Sequence, residues 1–260
     1  KYRANRMRRD VVMRNVPPAW IHHLRFGEAS TALALGLQPG AQTHRVEVPA
    51  LAIDSDALPF IAGAATMAVI WRKLAPQSRI WLLPATLAAL LAAFFRDPKR
   101  PVVADTALVY AASDGVVLSV EEITDERFSD QPWLRVAVFL SLLDVHVNRS
   151  PVAGKVLELV HEDSGFANAS HAAAEHNQAL YTIIETPRGC CIVAQRVGLI
   201  ARRIVNRCPP GTLLAQGDKM GLIRFGSRTD VYIPASNATA LVKPGDRVTG
   251  GVTALLRFRE

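Results

Sequence analysis

Hydrophobic and polar positions follow two different rhythms along this chain, and the change falls near Pro98. Before it lie two stretches with no charged residue, Ala57–Trp71 of 15 residues and Ile80–Phe95 of 16. Both fall short of the ~20 residues that span a bilayer as a helix. The eight residues Arg72 to Arg79 between them suit a helical hairpin, with Pro84 near the start of the second helix, where a ring is tolerated. Leu82, Leu83, Leu87, Leu90, Leu91, Phe94 and Phe95 leave that helix no polar face, as in lipid or deep inside a protein. Arg72, Lys73 and Arg79 on one side and Arg96, Lys99 and Arg100 on the other give no charge asymmetry to orient two full spans. A shallow, re-entrant or monotopic insertion accounts for short length and symmetric charge; two buried core helices are the alternative.

After Pro98 the period shortens to that of strands. Leu108–Tyr110, Val116–Val120, Leu134–Leu143, Gly154–Val160, Leu180–Glu185, Cys191–Gln195 and Val197–Val205 are short, rich in β-branched residues and bounded by turn signals. Met220–Phe225, Asp230–Ile233, Ala240–Val242 and Gly251–Phe258 continue the series. Pro187-Arg188-Gly189 reads as a hairpin turn. His171–Gln178, with three alanines at its centre, is the best helical candidate in this half. The expected fold is α+β but mainly β. A sandwich- or barrel-like body at 96–260 follows a membrane-associated hairpin at 57–95 and a basic arm and linker at 1–56. Within that first segment Lys1–Asn15 suits either a basic helix or a solvated tail, and 38–56 holds one strand candidate, His44–Val48.

Composition refines this picture. Half of the 260 residues are hydrophobic and a fifth charged, which excludes a disordered chain. The formal charge of +7 is concentrated at the start, where residues 1–28 hold seven Lys/Arg against Asp10 and Glu28. Such an arm suits an anionic surface. Cys190, Cys191 and Cys208 form no CxxC pair, and an odd count fits no disulfide framework. There is no GxGxxG and no GxxxxGK[ST], and His171 to His176 misses the H-x-x-E-H zinc spacing by one residue, so no metal is expected.

Four spaced segments remain to carry chemistry: Phe94 to Pro101 (FFRDPKRP), Ser113-Asp114-Gly115, Asp144 to Gly154 (DVHVNRSPVAG) and Gly221 to Pro234 (GLIRFGSRTDVYIP). Singly each has a bland explanation: a turn at Asp114-Gly115, a half-buried His146, a bulge at Gly226-Ser227. Together, in this order, they resemble the phosphatidylserine decarboxylase family in its short, proteobacterial or archaeal type. The resemblance runs from Phe94 to about Thr249, with Phe225-Gly-Ser-Arg-Thr-Asp-Val-Tyr232 its most specific part and Gly198 to Arg203 (GLIARR) close behind.

The resemblance implies a pyruvoyl-dependent carboxy-lyase. Decarboxylation needs a sink for the electron pair left by CO2, which no side chain supplies, so a carbonyl cofactor is required. The family makes its own. Ser227 Oγ would attack the Gly226 carbonyl, β-elimination would release the upstream chain at Gly226, and hydrolysis would leave a pyruvoyl group at position 227. The family's Asp–His–Ser arrangement maps onto Asp114, His146 and Ser227, with His146 as base and Asp114 orienting it. The phosphatidylserine amine would then form a Schiff base with the pyruvoyl ketone, lose CO2 and leave as phosphatidylethanolamine. Arg149 and Arg228 are candidates for the substrate's oxyanions, although structural ion pairs explain arginines equally well.

The implied partners are the phospholipid, the cytoplasmic face of the cell membrane, bound in a peripheral or monotopic way, and the two cleaved chains, which stay together. A homodimer is one option for the assembly, and no nucleic acid is expected. One departure stands out: short members carry Asn-Glu-Arg-Asn where this chain has Asn177-Gln178-Ala179-Leu180. It motivates the alternative of a catalytically impaired, lipid-binding relative.

Overall fold

The computed structural model describes residues 5–12, 19–25, 37, 45–48, 51–125, 127–162, 177–198, 203–223 and 227–259. Its centre is an eight-stranded antiparallel sheet. The strand order is Leu213–Leu214, Gly154–Glu162, Ala179–Thr186, Gly189–Arg196, Ser227–Pro234, Ser129–Leu140, Gly115–Asp125 and Arg247–Val248. Pro187 and Arg188 make the two-residue turn expected between the third and fourth, with Thr186 opposite Gly189. The β-branched alternation places Val136, Val138, Val193, Val231 and Ile233 on one face. There they form the main core with Val109, Leu255, Leu256 and Phe258 from a smaller sheet, Ala238–Ala240, Ala254–Phe258 and Leu108–Tyr110. Two layers closing over one core are the sandwich-like, mainly β body.

The opposite face of the large sheet is buried as well. Trp133, Tyr181, Ile192, Ala194 and Tyr232 form a second apolar cluster, and beside it Asp230 accepts from Arg228 Nε at 2.6 Å and Arg196 Nε at 3.0 Å. Ser227–Pro234 is thus buried at every position, with bonded neighbours on both edges.

The two apolar stretches form helices Leu58–Leu74 and Leu82–Phe94, bridged at the loop by the Arg72 guanidinium 4.9 Å over the Trp81 ring. Ser55–Leu74, taken with its preceding 3-10 turn, is long and apolar enough to cross a membrane by length and composition, and little of it is buried. Leu74, Leu83 and Leu90 are 75%, 72% and 63% exposed, so these are not core helices. Among the described residues they are anchored at their base, where Ile53, Ala57, Phe94 and Phe95 pack with Leu222.

Three expectations change. Asn5–Val12 is a strand paired antiparallel with Ala19–Arg25, where local sequence suggested a helix or tail; the pairing is a tertiary contact that propensity does not encode. The linker at 38–56 holds two strands, Arg45–Val48 and Leu51–Asp54, rather than one, and Ile53 bridges to Arg96. Val197–Val205 contributes only Ile204–Asn206 as strand among the described residues. Most of the His171–Gln178 helix candidate lies outside the described residues.

Asp230→Ala leaves two buried guanidiniums without their shared carboxylate. It should destabilise the fold by about 3–5 kcal/mol, read as a lowered urea midpoint; Asp230→Asn should cost less.

Candidate active site

The site residues come from three meeting points of the two main layers and the hairpin. Asp114 sits where the chain leaves Leu108–Tyr110 in the small sheet and enters Gly115–Asp125 in the large one, so the turn is a corner between sheets rather than a hairpin. Gly115 has φ +154°, and a Cβ there would run into the Phe139 carbonyl. One Asp114 oxygen accepts from Arg100 Nη2 at 2.6 Å and the other from the Gly250 backbone N–H at 2.8 Å. The neighbouring Ser113 hydroxyl meets Thr229 Oγ1 at 2.7 Å, tying this corner to the strand that Ser227 opens.

His146 lies between the end of Ser129–Leu140 and the short strand Val147–Arg149. Its carbonyl accepts from the Ile223 N–H, so its backbone lies beside Lys219–Ile223, the strand that leads towards position 226. The ring packs on Phe94, centroids 4.2 Å apart, and is 2% exposed as a residue. Its Nδ1 lies 2.9 Å from the Asp144 carbonyl oxygen. That contact requires a proton on Nδ1 and leaves the Nε2 lone pair free. Burial lowers the imidazole pKa to about 4, with the Asp144 carbonyl acting weakly in the opposite direction. The ring is therefore neutral near pH 7. Asp144 is itself held by the Ser141 backbone N–H and hydroxyl and by Arg247.

Ser227 begins the central strand, opposite Leu140, and is fully buried. Its Oγ and His146 Nε2 are both buried polar atoms without a hydrogen-bond partner among the described residues. Buried polar atoms are rarely left so, and each exception calls for a reason. A nucleophile and a base kept free of competing partners supply one. A group derived from the Ser227 side chain fits this position, since it would give up no existing hydrogen bond. Gly226 lies outside the described residues.

The remaining candidates are placed differently. Arg149 Nη2 bonds the fully buried Asp97 at 2.9 Å and Nη1 the Gly217 carbonyl at 3.1 Å. Arg228 joins the Asp230 pair on the outer face of the sheet, the face opposite Ser227. The expected orienting contact from Asp114 to His146 has a different partner here, the Asp144 carbonyl. Sequence reasoning missed Asp97, Asp144 and Phe94 as parts of the site, although all three lie inside the segments it singled out. Asn177 is buried and donates to the Val197 carbonyl at 2.8 Å, a structural role beside Gly198.

Comparison with known proteins points one way. The family model described as phosphatidylserine decarboxylase matches residues 87–255. The chain is 43% identical over 183 residues to a phosphatidylserine decarboxylase proenzyme of Symbiobacterium thermophilum, covering 68% of this chain and 85% of that one. It is 40% identical over 210 residues to one of Mycolicibacterium smegmatis, covering 78% and 88%. With one of Carboxydothermus hydrogenoformans the identity is 39% over 180 residues, covering 68% and 84%.

Because the folded imidazole titrates near 4 and a free one near 6.5, the unfolded chain binds the extra proton between these values. His146 therefore favours folding more as pH rises through that window and destabilises the fold as pH falls through it. In Ser227→Ala protein, NMR titration of His146 should show a midpoint near 4, and Phe94→Ala, by admitting water, should move it upward.

Proposed function

The chain belongs to the phosphatidylserine decarboxylase family, and from that premise we infer that it is a proenzyme that cleaves itself between Gly226 and Ser227 and then converts phosphatidylserine to phosphatidylethanolamine and CO2. The observation that carries the reading is the buried Ser227 Oγ with no hydrogen-bond partner among the described residues, within a chain whose other unpartnered buried atoms include His146 Nε2.

Maturation starts from the serine. A neutral hydroxyl is a weak nucleophile, and His146 Nε2 accepts its proton as Oγ bonds to the Gly226 carbonyl carbon. The Asp144 carbonyl holds the imidazole in the tautomer this needs, the role a carboxylate plays in other triads. Asp114 acts through position: with Arg100 and Gly250 it fixes the corner whose Ser113 grips Thr229, two residues beyond the nucleophile. N→O acyl shift would break the Gly226–Ser227 C–N bond, and β-elimination would free the upstream chain as a carboxylate and leave dehydroalanine, which water would hydrolyse to a pyruvoyl group with loss of ammonia. That group would supply a ketone able to take up the electron pair left behind when CO2 departs. In turnover His146 Nε2 is the proton carrier nearest to hand, and Phe94 keeps water from it. The new chain starts inside the central strand, bonded on both edges, so the two products of cleavage stay together.

Lipid reaches this site from the membrane. The exposed apolar surface of Leu58–Leu74 and Leu82–Phe94 enters the bilayer in a peripheral or monotopic way at the cytoplasmic face. Leu142 and Leu143, 51% and 81% exposed, extend the apolar surface to within three residues of His146, and Arg96 at the hairpin base donates to the Leu143 carbonyl. The substrate's acyl chains thus remain in lipid while its headgroup meets the β body.

Intact-mass measurement after denaturation should find chains of 226 and 34 residues, the second with a pyruvoyl N-terminus, and Ser227→Ala should stay one 28.3 kDa polypeptide. His146→Ala should slow cleavage by about 100-fold or more, the usual worth of a positioned base. An intact wild-type chain with an unmodified serine and no CO2 release would overturn the reading.

A further inference from the structure

A second site lies at the base of the hairpin, away from the reactive residues. Arg45, Glu47, Leu51, Ala52, Arg96, Pro98 and Lys99 line an open cleft of about 480 Å3 between the Arg45–Asp54 strand pair and the chain leaving the second helix. That is room for a polar headgroup. The side chain of Arg45 is only 7% exposed, yet its Nε and Nη1 have no hydrogen-bond partner among the described residues. Among the described residues its ionic neighbour is Glu47, 3.4 Å from Nη2, and Glu47 is shared with Lys99 Nζ at 3.2 Å. Three cations therefore face one largely exposed carboxylate. A buried guanidinium with two unused donors costs stability unless something accepts from it. Its planar fork matches the paired oxygens of a phosphate.

We propose that this cleft binds the phosphodiester of an anionic bilayer phospholipid that does not react, as a headgroup anchor for the hairpin. Neither Ser227, His146 nor Asp114 lines the cleft, so an occupant lies outside the reacting centre. Its place fits the membrane. Arg96 and Lys99 follow directly on the helix whose Leu83, Leu87 and Leu90 are exposed, so with that helix in lipid the three cations stand at headgroup depth. The inference rests on the membrane placement above. It adds a consequence for the site: Arg96 also donates to the Leu143 carbonyl, so a lipid held on Arg96 braces the loop that leads to His146.

The test uses the mature full-length protein with vesicles of phosphatidylcholine, alone or mixed with phosphatidylglycerol, in salt that screens the arm at residues 1–28. Wild type should bind both and prefer the mixture. Arg45→Gln should lose about tenfold of that preference, as for charge-assisted hydrogen bonds, while keeping its affinity for phosphatidylcholine and its self-cleavage. Arg45→Lys should restore only part, and Arg257→Gln, which removes an exposed cation elsewhere, should change nothing. A preference that survives both Arg45→Gln and Lys99→Gln overturns the site; should Arg45→Gln not accumulate, the exposed Lys99 decides alone. Wild type that binds neither vesicle overturns the membrane placement itself. Inorganic phosphate that abolishes the preference at low millimolar concentration would make free phosphate the ligand and overturn the lipid assignment.

Discussion

One buried carboxylate ties the hairpin to the elements that flank His146 and lead towards position 226. Asp97 has no exposed surface and is met by Arg149 Nη2 at 2.9 Å and by Lys219 Nζ. Its backbone N–H donates to Ala52. Those four residues lie on the chain leaving the hairpin, on Val147–Arg149, on Lys219–Ile223 and on Leu51–Asp54. His146 precedes the second of these elements, and the third runs towards position 226. Desolvation lowers the pKa of both Arg149 and Lys219, with Asp97 opposing it, so each cation is held in place by the anion it surrounds. Removing one member would strand the others without water, which makes such a cluster costly to break and effective at fixing geometry. Arg149 thus holds the strand that follows His146 against Lys219–Ile223, the strand that runs towards position 226.

That clamp and two aromatic contacts tie the hairpin closely to the residues around His146. Phe94, on the last turn of the second helix, stacks on His146, and Phe95 packs with Leu222 in the same small cluster. The burial that lowers the His146 pKa to about 4 is therefore supplied partly by the exposed helical hairpin. A force that lifted the helices from the body would admit water to the imidazole and disturb Leu222 at once. The seating of the hairpin on the body and the protonation state of His146 share one contact.

The sequence showed the elements better than their partners. The hairpin was legible because uncharged stretches of 15 and 16 residues have no other simple use, and Leu108–Tyr110 and the Pro187-Arg188 turn followed from β-branching and turn chemistry. Ser227, His146 and Asp114 were reachable through motif resemblance. Hidden from local pattern were the contacts between distant segments: Arg149 with Asp97, Arg207 with both oxygens of Asp54, and Arg228 with Arg196 around Asp230. Nothing in the spacing of an arginine tells whether its partner is a ligand or a carboxylate a hundred residues away. The Asp144 carbonyl was illegible for another reason. Every residue has one, and only the fold decides which of them reaches an imidazole.

The position of Ser227 reconciles two demands that pull against each other. Cleaving a backbone inside a protein releases conformational freedom, and a scission in the middle of a sheet would ordinarily loosen it. Here the described strand begins at Ser227 itself, while the preceding strand, Lys219–Ile223, belongs to a different sheet. The Gly226–Ser227 bond of the proposed cleavage lies between two separately anchored elements. On its far side Thr229 to Tyr232 are paired to Gln195–Ile192 and to Val138–Arg135, with both faces buried. On its near side Gly221 and Leu222 are paired to Asn148 and Val147. Among the described residues the two ladders lie on either side of the Gly226–Ser227 bond, so the proposed cleavage would leave both sets of partners in place.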